Sequence, residues 1–259
     1  MIDSHCHLDF TQFDSDRQAI LSNCTQADIS RILIPNTRLS SLDKVRELTA
    51  TRSENAPVLD MAAGLHPWFL GLHVETELEQ LAHWLQSHHR HCVAIGETGI
   101  DLAITERVSE QQQCVALAGH IALASQYKLP LILHHRNSHN QLIRLLKHSR
   151  FNQGGVIHAF SGSLQTAEEY LALGFLLGIG GTITYPRAKK TIATLHHLPL
   201  THCLLETDAP DMPMNGRQGQ RNSPEYLVNV AAAVAKIKNL SIAEVAAVTT
   251  DNYHRLFLT

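Results

Sequence analysis

His5 and His7 stand two residues apart at the end of a short apolar start, in Ile2-Asp3-Ser4-His5-Cys6-His7-Leu8-Asp9. In an extended segment alternate side chains share a face. The two imidazoles are therefore expected to point into one space, with Cys6 directed away. Two convergent imidazoles are half of a metal site. The alternative is a pair of surface histidines in a frayed terminus, and the flanking Asp3 and Asp9 favour the metal.

The elements that must position such a site alternate along the chain. Strands are predicted over 2–7, 31–36, 58–65, 92–97, 130–134, 155–159, 174–180 and 202–206. Helical patterns lie between them, near 15–27, 39–53, 75–89, 106–128, 137–149, 164–173, 187–197 and 223–236, with a last one at 241–257. Strands each followed by a helix predict a single-domain (β/α)8 TIM barrel spanning 1–259. The doubly wound sheet is the rival fold, but no phosphate-binding glycine fingerprint follows the first strand. Ser163 is expected to cap the sixth helix, and Ser223 with Pro224 to open the eighth as N-cap and first helical residue.

On these strands the remaining metal-competent side chains fall at C-terminal ends. Glu97 ends the fourth strand, His134 the fifth, His158 the sixth and Asp208 the eighth. In a barrel those ends share one mouth, where active sites lie. A carboxylate or imidazole buried there needs a partner, and the partners at hand are one another and a cation.

Composition narrows the classes. The 259 residues are 44% hydrophobic and 17% charged, enough for a full core, and the net charge of -3 argues against bulk electrostatic capture of duplex nucleic acid. Five cysteines without a Cys-x-x-Cys pair suit reduced thiols in a cytoplasm. Neither an export leader nor a membrane-spanning run is expected, and no stable protein partner. Histidine, at 18, is the outlier; His88, His89, His91, His196 and His197 are read as solvated.

The motifs together resemble the TatD family of metal-dependent hydrolases, in particular its YjjV-type branch. The matching pieces are Asp3-Ser4-His5-Cys6-His7, Gly64-Leu65-His66-Pro67, Gly96-Glu97-Thr98-Gly99-Ile100-Asp101, His134 with Arg136, His158-Ala159-Phe160-Ser161-Gly162, Gly180-Gly181-Thr182-Ile183-Thr184-Tyr185 and Glu206-Thr207-Asp208-Ala209-Pro210. The likeness runs from Asp3 to about Phe257. It departs from the family pattern at Leu102, where an aromatic residue is frequent, and at Asn137-Ser138-His139-Asn140, where an acid is common. The resemblance implies a barrel of the amidohydrolase-like metallohydrolase type and a divalent-metal-dependent phosphodiesterase or nuclease, often exonucleolytic on DNA. It implies metal ligands at His5, His7, Glu97, His134, His158 and Asp208, with Glu97 bridging two divalent ions (zinc, manganese, magnesium, nickel or iron). In that reading His5, His7 and Asp208 hold one ion and His134 with His158 the other.

Roles follow for the neighbours. Glu97 and Asp208 are the catalytic candidates, Asp208 doubling as the base that orients or deprotonates water. His66 and Arg136 are assigned to the phosphate, and Asp101 to a carboxylate behind a ligand histidine or a helix cap. Tyr185 and Arg187 are assigned to gripping a DNA end, with Tyr185 and Trp68 as stacking surfaces. Gly178, Gly180 and Gly181 either relieve crowding or let substrate approach the backbone. A small phosphodiester is the alternative substrate within this reading. Hydrolysis of a small amide, lactone or phosphoester is the second enzymatic reading, and non-catalytic metal or nucleic-acid binding the third.

Overall fold

Eight apolar runs, rich in Ile, Leu and Val, become strands because each is buried on both faces, as parallel barrel strands must be. They are β1 (Ile2–Asp3), β2 (Arg31–Pro35), β3 (Val58–Ala63), β4 (Cys92–Asp101), β5 (Leu131–Arg136), β6 (Gly155–Ile157), β7 (Phe175–Ile179) and β8 (Cys203–Leu205). The computed structural model describes residues 1–51 and 55–258. All neighbouring strands pair in parallel in chain order. Backbone bonds complete the ring: Ser4 N donates to Leu205 O and Asp208 N to His5 O, both at 2.9 Å. The predicted (β/α)8 barrel is the architecture found.

One inward residue from each strand, namely Ile2, Leu33, Ala62, Ala94, Ile132, Val156, Leu176 and Leu204, fills the barrel interior. Residues of the other parity, such as Ile32, Ile34, Met61, Ile95 and Leu133, pack under the helices. The helices are α1 (Arg17–Gln26), α2 (Leu42–Ala50), α3 (Val74–His88), α4 (Glu110–Tyr127), α5 (His139–Ser149), α6 (Leu164–Ala172), α7 (Lys189–His197), α8 (Leu227–Lys238) and α9 (Ile242–Phe257). Tyr253 and Phe257 of α9 join the inner cluster, so this last helix plugs the N-terminal end of the barrel. Its seat is polar as well as apolar: the Tyr253 hydroxyl donates to Asp60 Oδ2 at 2.6 Å, and Arg31 Nη1 reaches both Asp60 oxygens. The C-terminal mouth is left as the opening.

Boundaries differ from expectation where loops carry local structure. β1 keeps only two of the six residues predicted, because beyond Asp3 the backbone turns to bond with the loop after β8. β4 runs four residues past Glu97, with a register shift between Ile95 and Thr98, so Glu97 sits at an irregularity within a strand. At Gly99, φ is +149° and an added Cβ would fall 2.0 Å from His134 O, so only glycine lets β4 and β5 come this close. α4 starts at Glu110 rather than 106, behind a Ser109–Gln112 capping box. Ser163 caps α6 as expected, accepting from Thr166 N. Ser223 makes no such bond: Pro224 opens a short 3-10 turn, and α8 begins at Leu227. Residues 52 and 53 of the second predicted helix lie outside the described residues.

α4 contributes a histidine that the sequence did not single out. His120 is fully buried; its Nε2 accepts from Leu65 N at 2.9 Å, which places the proton on Nδ1, directed to Ala116 O at 2.7 Å. The side chain pins the loop that leads to His66. Burial lowers its pKa to about 4, against an ordinary 6.5. The folded protein thus refuses a proton that the unfolded chain accepts, and stability must fall as pH drops from 6.5 toward 4. Relative to a His120→Gln variant, the wild type is expected to lose about 3 kcal/mol over that window. Urea titrations of both proteins at pH 7 and pH 4.5 check this, and parallel pH profiles would refute it.

Candidate metal centre

The mouth brings together side chains from most of the barrel. Glu97, almost wholly buried, stands at the centre. Its Oε2 lies 3.1 Å from His5 Nε2 and 3.4 Å from His7 Nε2. Its Oε1 lies 3.3 Å from both His66 Nε2 and His134 Nδ1. Asp208 Oδ1 faces three imidazoles, at 3.6 Å from His5 Nε2, 3.5 Å from His7 Nε2 and 3.6 Å from His158 Nε2. His5 and His7 do converge, although the strand ladder ends before either of them, and Cys6 turns away to Ala209 O.

Neighbouring acceptors and donors decide which ring nitrogen faces the centre. His134 Nε2 meets Asp101 Oδ2 at 3.3 Å and His158 Nδ1 meets Glu206 Oε1 at 3.0 Å. Asp101 holds a proton on His134 Nε2, leaving Nδ1 with its lone pair toward the centre, while His158 turns Nε2 toward Asp208 and keeps Nδ1 beside Glu206, without a hydrogen bond among the described residues. His66 is reversed. Its Nδ1 accepts from Trp68 N at 3.1 Å, so Nε2 carries the hydrogen and points it at Glu97. His66 is thereby a hydrogen-bond donor rather than a ligand, though it sits within ligand distance of Glu97 and His134.

The donor set fits a divalent cation. Ligands about 2.1 Å from a tetrahedral ion lie about 3.4 Å from one another, which matches the spacings around Asp208 and Glu97. The contacts of 3.4–3.6 Å are long for hydrogen bonds. His5 Nδ1 and His7 Nδ1 are buried without a hydrogen-bond partner, so neither ring is held by protein on its far side. Electrostatics agree. Burial by itself depresses an imidazole, yet the Asp208 and Glu97 carboxylates overcome it at His7 and lift its pKa to about 9. Burial alone raises a carboxyl, yet the surrounding imidazoles hold Asp208 far below its ordinary range. The cluster demands positive charge, whether from protons or from a cation.

His134 and His158 both turn a ring nitrogen into the mouth, His134 Nδ1 toward Glu97 Oε1 and His158 Nε2 toward Asp208 Oδ1. Their ring centroids are 6.4 Å apart, and His158 stacks on His5 at 3.6 Å beside Asp208. Asp101 faces His134 and caps the short turn after β4 through Ala103 N at 2.9 Å. The charges and hydrogen bonds of His134, Ala103 and Trp68, acting against burial, lower its pKa to about 2. Arg136 ends β5 at the exposed rim of the cavity, and Trp68 lines the cavity with its Nε1 donating to Asp101 Oδ2 at 2.7 Å.

Tyr185 and Arg187 are not where expected. Neither lines the cavity: the turn Gly181–Thr184 folds onto the loop after β8, the Tyr185 hydroxyl donates to Pro213 O at 2.6 Å, and Arg187 stacks on the Tyr185 ring. Arg217 and Arg221 of the loop after β8 are likewise engaged, on Tyr226 and on Asp16. Gly178 relieves crowding, since a Cβ there would fall 2.1 Å from Glu206 Oε2.

Two further carboxylates matter to the site. Asp3 accepts from His5 N and Thr207 N through Oδ1 and contacts the Thr207 hydroxyl at 2.6 Å, tying the His5 backbone to the Asp208 loop. Glu206 accepts from Ala159 N and holds His158. The same two-residue alternation that pairs His5 with His7 pairs Asp3 with His5 and Glu206 with Asp208, and is the signal by which both are found.

A parallel barrel whose C-terminal mouth gathers imidazoles and carboxylates around one space defines a metal-dependent hydrolase. Residues 2–258 match the family described as TatD related DNase. The metal-dependent hydrolase YjjV of Escherichia coli is 43% identical over 256 residues, covering 99% of this chain and 97% of its own length. A metal-dependent hydrolase of Haemophilus influenzae is 34% identical over 260 residues, covering 98% of each. The crystal structure of YjjV, a TatD homologue, superposes with a TM-score of 0.93 at 41% identity, over 100% of this chain and 98% of that one. The chain belongs to the TatD family. Among the described residues no helix is long and apolar enough to cross a membrane.

Proposed function

We propose that the protein hydrolyses phosphodiester bonds of DNA near a free end, with two divalent cations at the barrel mouth. The observation that carries this reading is the position of Glu97, one oxygen turned to His5 and His7 and the other to His134. His5, His7 and Asp208 would hold one ion with Glu97 Oε2, and His134 and His158 the other with Oε1. Divalent ions so placed supply a nucleophile from water at neutral pH and offset charge on the oxygens of the bond being cut.

The chain's own groups do the rest. Asp208 lines the cavity and is positioned to take the proton released by an attacking water. His66 stays neutral, because burial lowers its pKa to about 4, and its Nε2–H, directed at Glu97 Oε1, orients that carboxylate. Arg136 meets the phosphate from the rim, and the half-exposed Trp68 offers an indole face to a base. The cavity, of about 630 Å³, accommodates a nucleotide-sized group.

The test is a substrate panel on chelated protein reloaded with zinc, manganese, magnesium, nickel or iron. It comprises end-labelled single-stranded DNA, a chromogenic phosphodiester, and small amides and lactones. Release of nucleotides from DNA ends, with about two ions bound per chain, is the expected result. Turnover confined to amides or lactones would overturn the phosphodiester reading, and binding without any turnover would overturn catalysis.

A further inference from the structure

Beside the metal cavity lies a second concavity of about 430 Å³, lined by Asp9, Phe10, Arg38, Ser41, Lys44 and Phe69. Phe10 and Phe69 line both spaces, so the two adjoin at this aromatic pair. The route is short: the His7 ring stacks on Phe10 at 4.7 Å, and the Arg38 guanidinium lies 5.8 Å from the same ring. Phe10 and Phe69 meet edge to face at 6.4 Å, and Arg38 covers Phe69 at 3.9 Å. Phe69 is 37% exposed and Trp68, next to it in the chain, 40%.

Arg38 is held but not spent. Stacking on Phe69 fixes its plane, while it joins no ion pair among the described residues. An arginine oriented this way keeps its fork of N–H donors for an oxyanion. Its loop is rigid: Asn36 Nδ2 donates to Arg38 O and Gly64 O, both at 2.9 Å, and Ser41 Oγ donates to Asn36 Oδ1 at 2.7 Å. Lys44 adds a second cation, shared with Asp14 at 3.3 Å. Asp9, which is buried, lines the floor of the same shelf.

We infer that this shelf is a second subsite for single-stranded DNA, in which Arg38 and Lys44 take a phosphate neighbouring the one at the metal cavity while a base lies against Phe69 and Trp68. The assignment rests on the phosphodiester reading and moves the strand's path to the loops after β1, β2 and β3. Arg221 of the loop after β8, whose guanidinium is paired with Asp16, is left out of that path.

The test is equilibrium binding of the metal-loaded protein to a fluorescent single strand of about 12 nucleotides carrying phosphorothioate linkages that resist cleavage. Arg38→Gln is expected to weaken binding about tenfold and to flatten the plot of log affinity against log salt by about 0.7, the share of one phosphate. Phe69→Ala is expected to weaken it by a similar factor without changing that slope. Arg38→Lys is expected to restore the slope but only part of the affinity. Arg90→Gln, the same charge change on an exposed residue ahead of β4 at the opposite rim, is the control. Equal affinity of the Arg38→Gln and Arg90→Gln proteins would overturn the subsite, and tighter binding of an RNA of the same sequence would overturn its assignment to DNA. Hydrolysis of the chromogenic phosphodiester is scored separately: its absence would refute the catalytic reading, while the binding series still decides the shelf.

Discussion

Glu97→Gln is expected to lower kcat/KM on every substrate by on the order of 10⁴-fold and to reduce bound divalent metal from about two ions per chain to one or fewer. The cause is geometric. Among the described residues Glu97 alone faces imidazoles through both carboxylate oxygens, which lie 3.1–3.4 Å from His5, His7, His66 and His134. Glutamine keeps the volume but turns one oxygen into an N–H₂ group, which faces either His5 and His7 or His134 and repels whatever cation they hold. Two cations that close together repel each other strongly unless a negative charge lies between them. Metal content by mass spectrometry, beside kinetics and circular dichroism, checks the outcome. A folded Gln variant with two ions and turnover within tenfold of wild type would refute the bridging role.

Asp208→Asn is expected to cost about 10³- to 10⁴-fold in kcat. Asparagine is the informative replacement because Asp208 sits at φ +58°, in the left-handed region that Asn tolerates and most side chains resist. It therefore removes charge without adding backbone strain. The two roles proposed for this residue then separate by metal content. Loss of an ion with activity assigns Asp208 to coordination; full metal with lost activity assigns it to proton transfer. Unchanged turnover would refute both. The same variant is expected to lower the His7 pKa from about 9, since the Asp208 carboxylate is the partner that does most to raise it against burial; NMR titration of metal-free protein follows that shift.

Much of this was legible in the chain because backbone periodicity is local. Alternation in an extended segment aims His5 with His7 whether or not a ladder forms around them. The Ser163 cap of α6 was likewise readable, because a capping bond spans only three residues. The metal-competent residues at strand ends shared a mouth as soon as the strand–helix alternation implied a barrel.

Tertiary structure decided what depends on partners distant in sequence. His5 meets Asp208 only because β1 and the loop after β8 close the ring. Which nitrogen of His134 and His66 faces the centre is set by Asp101 and the Trp68 amide, contacts that alternation within one strand does not state. Tyr185 and Arg187 carried suitable chemistry in suitable loops, yet the turn after β7 folds onto Pro213 and uses that chemistry internally. Arg38 and Phe69 carried no motif, and packing between the loops after β2 and β3 put them beside the site. A residue's type states what it can bind; only the closed barrel, through register and loop packing, states whether that capacity is already satisfied.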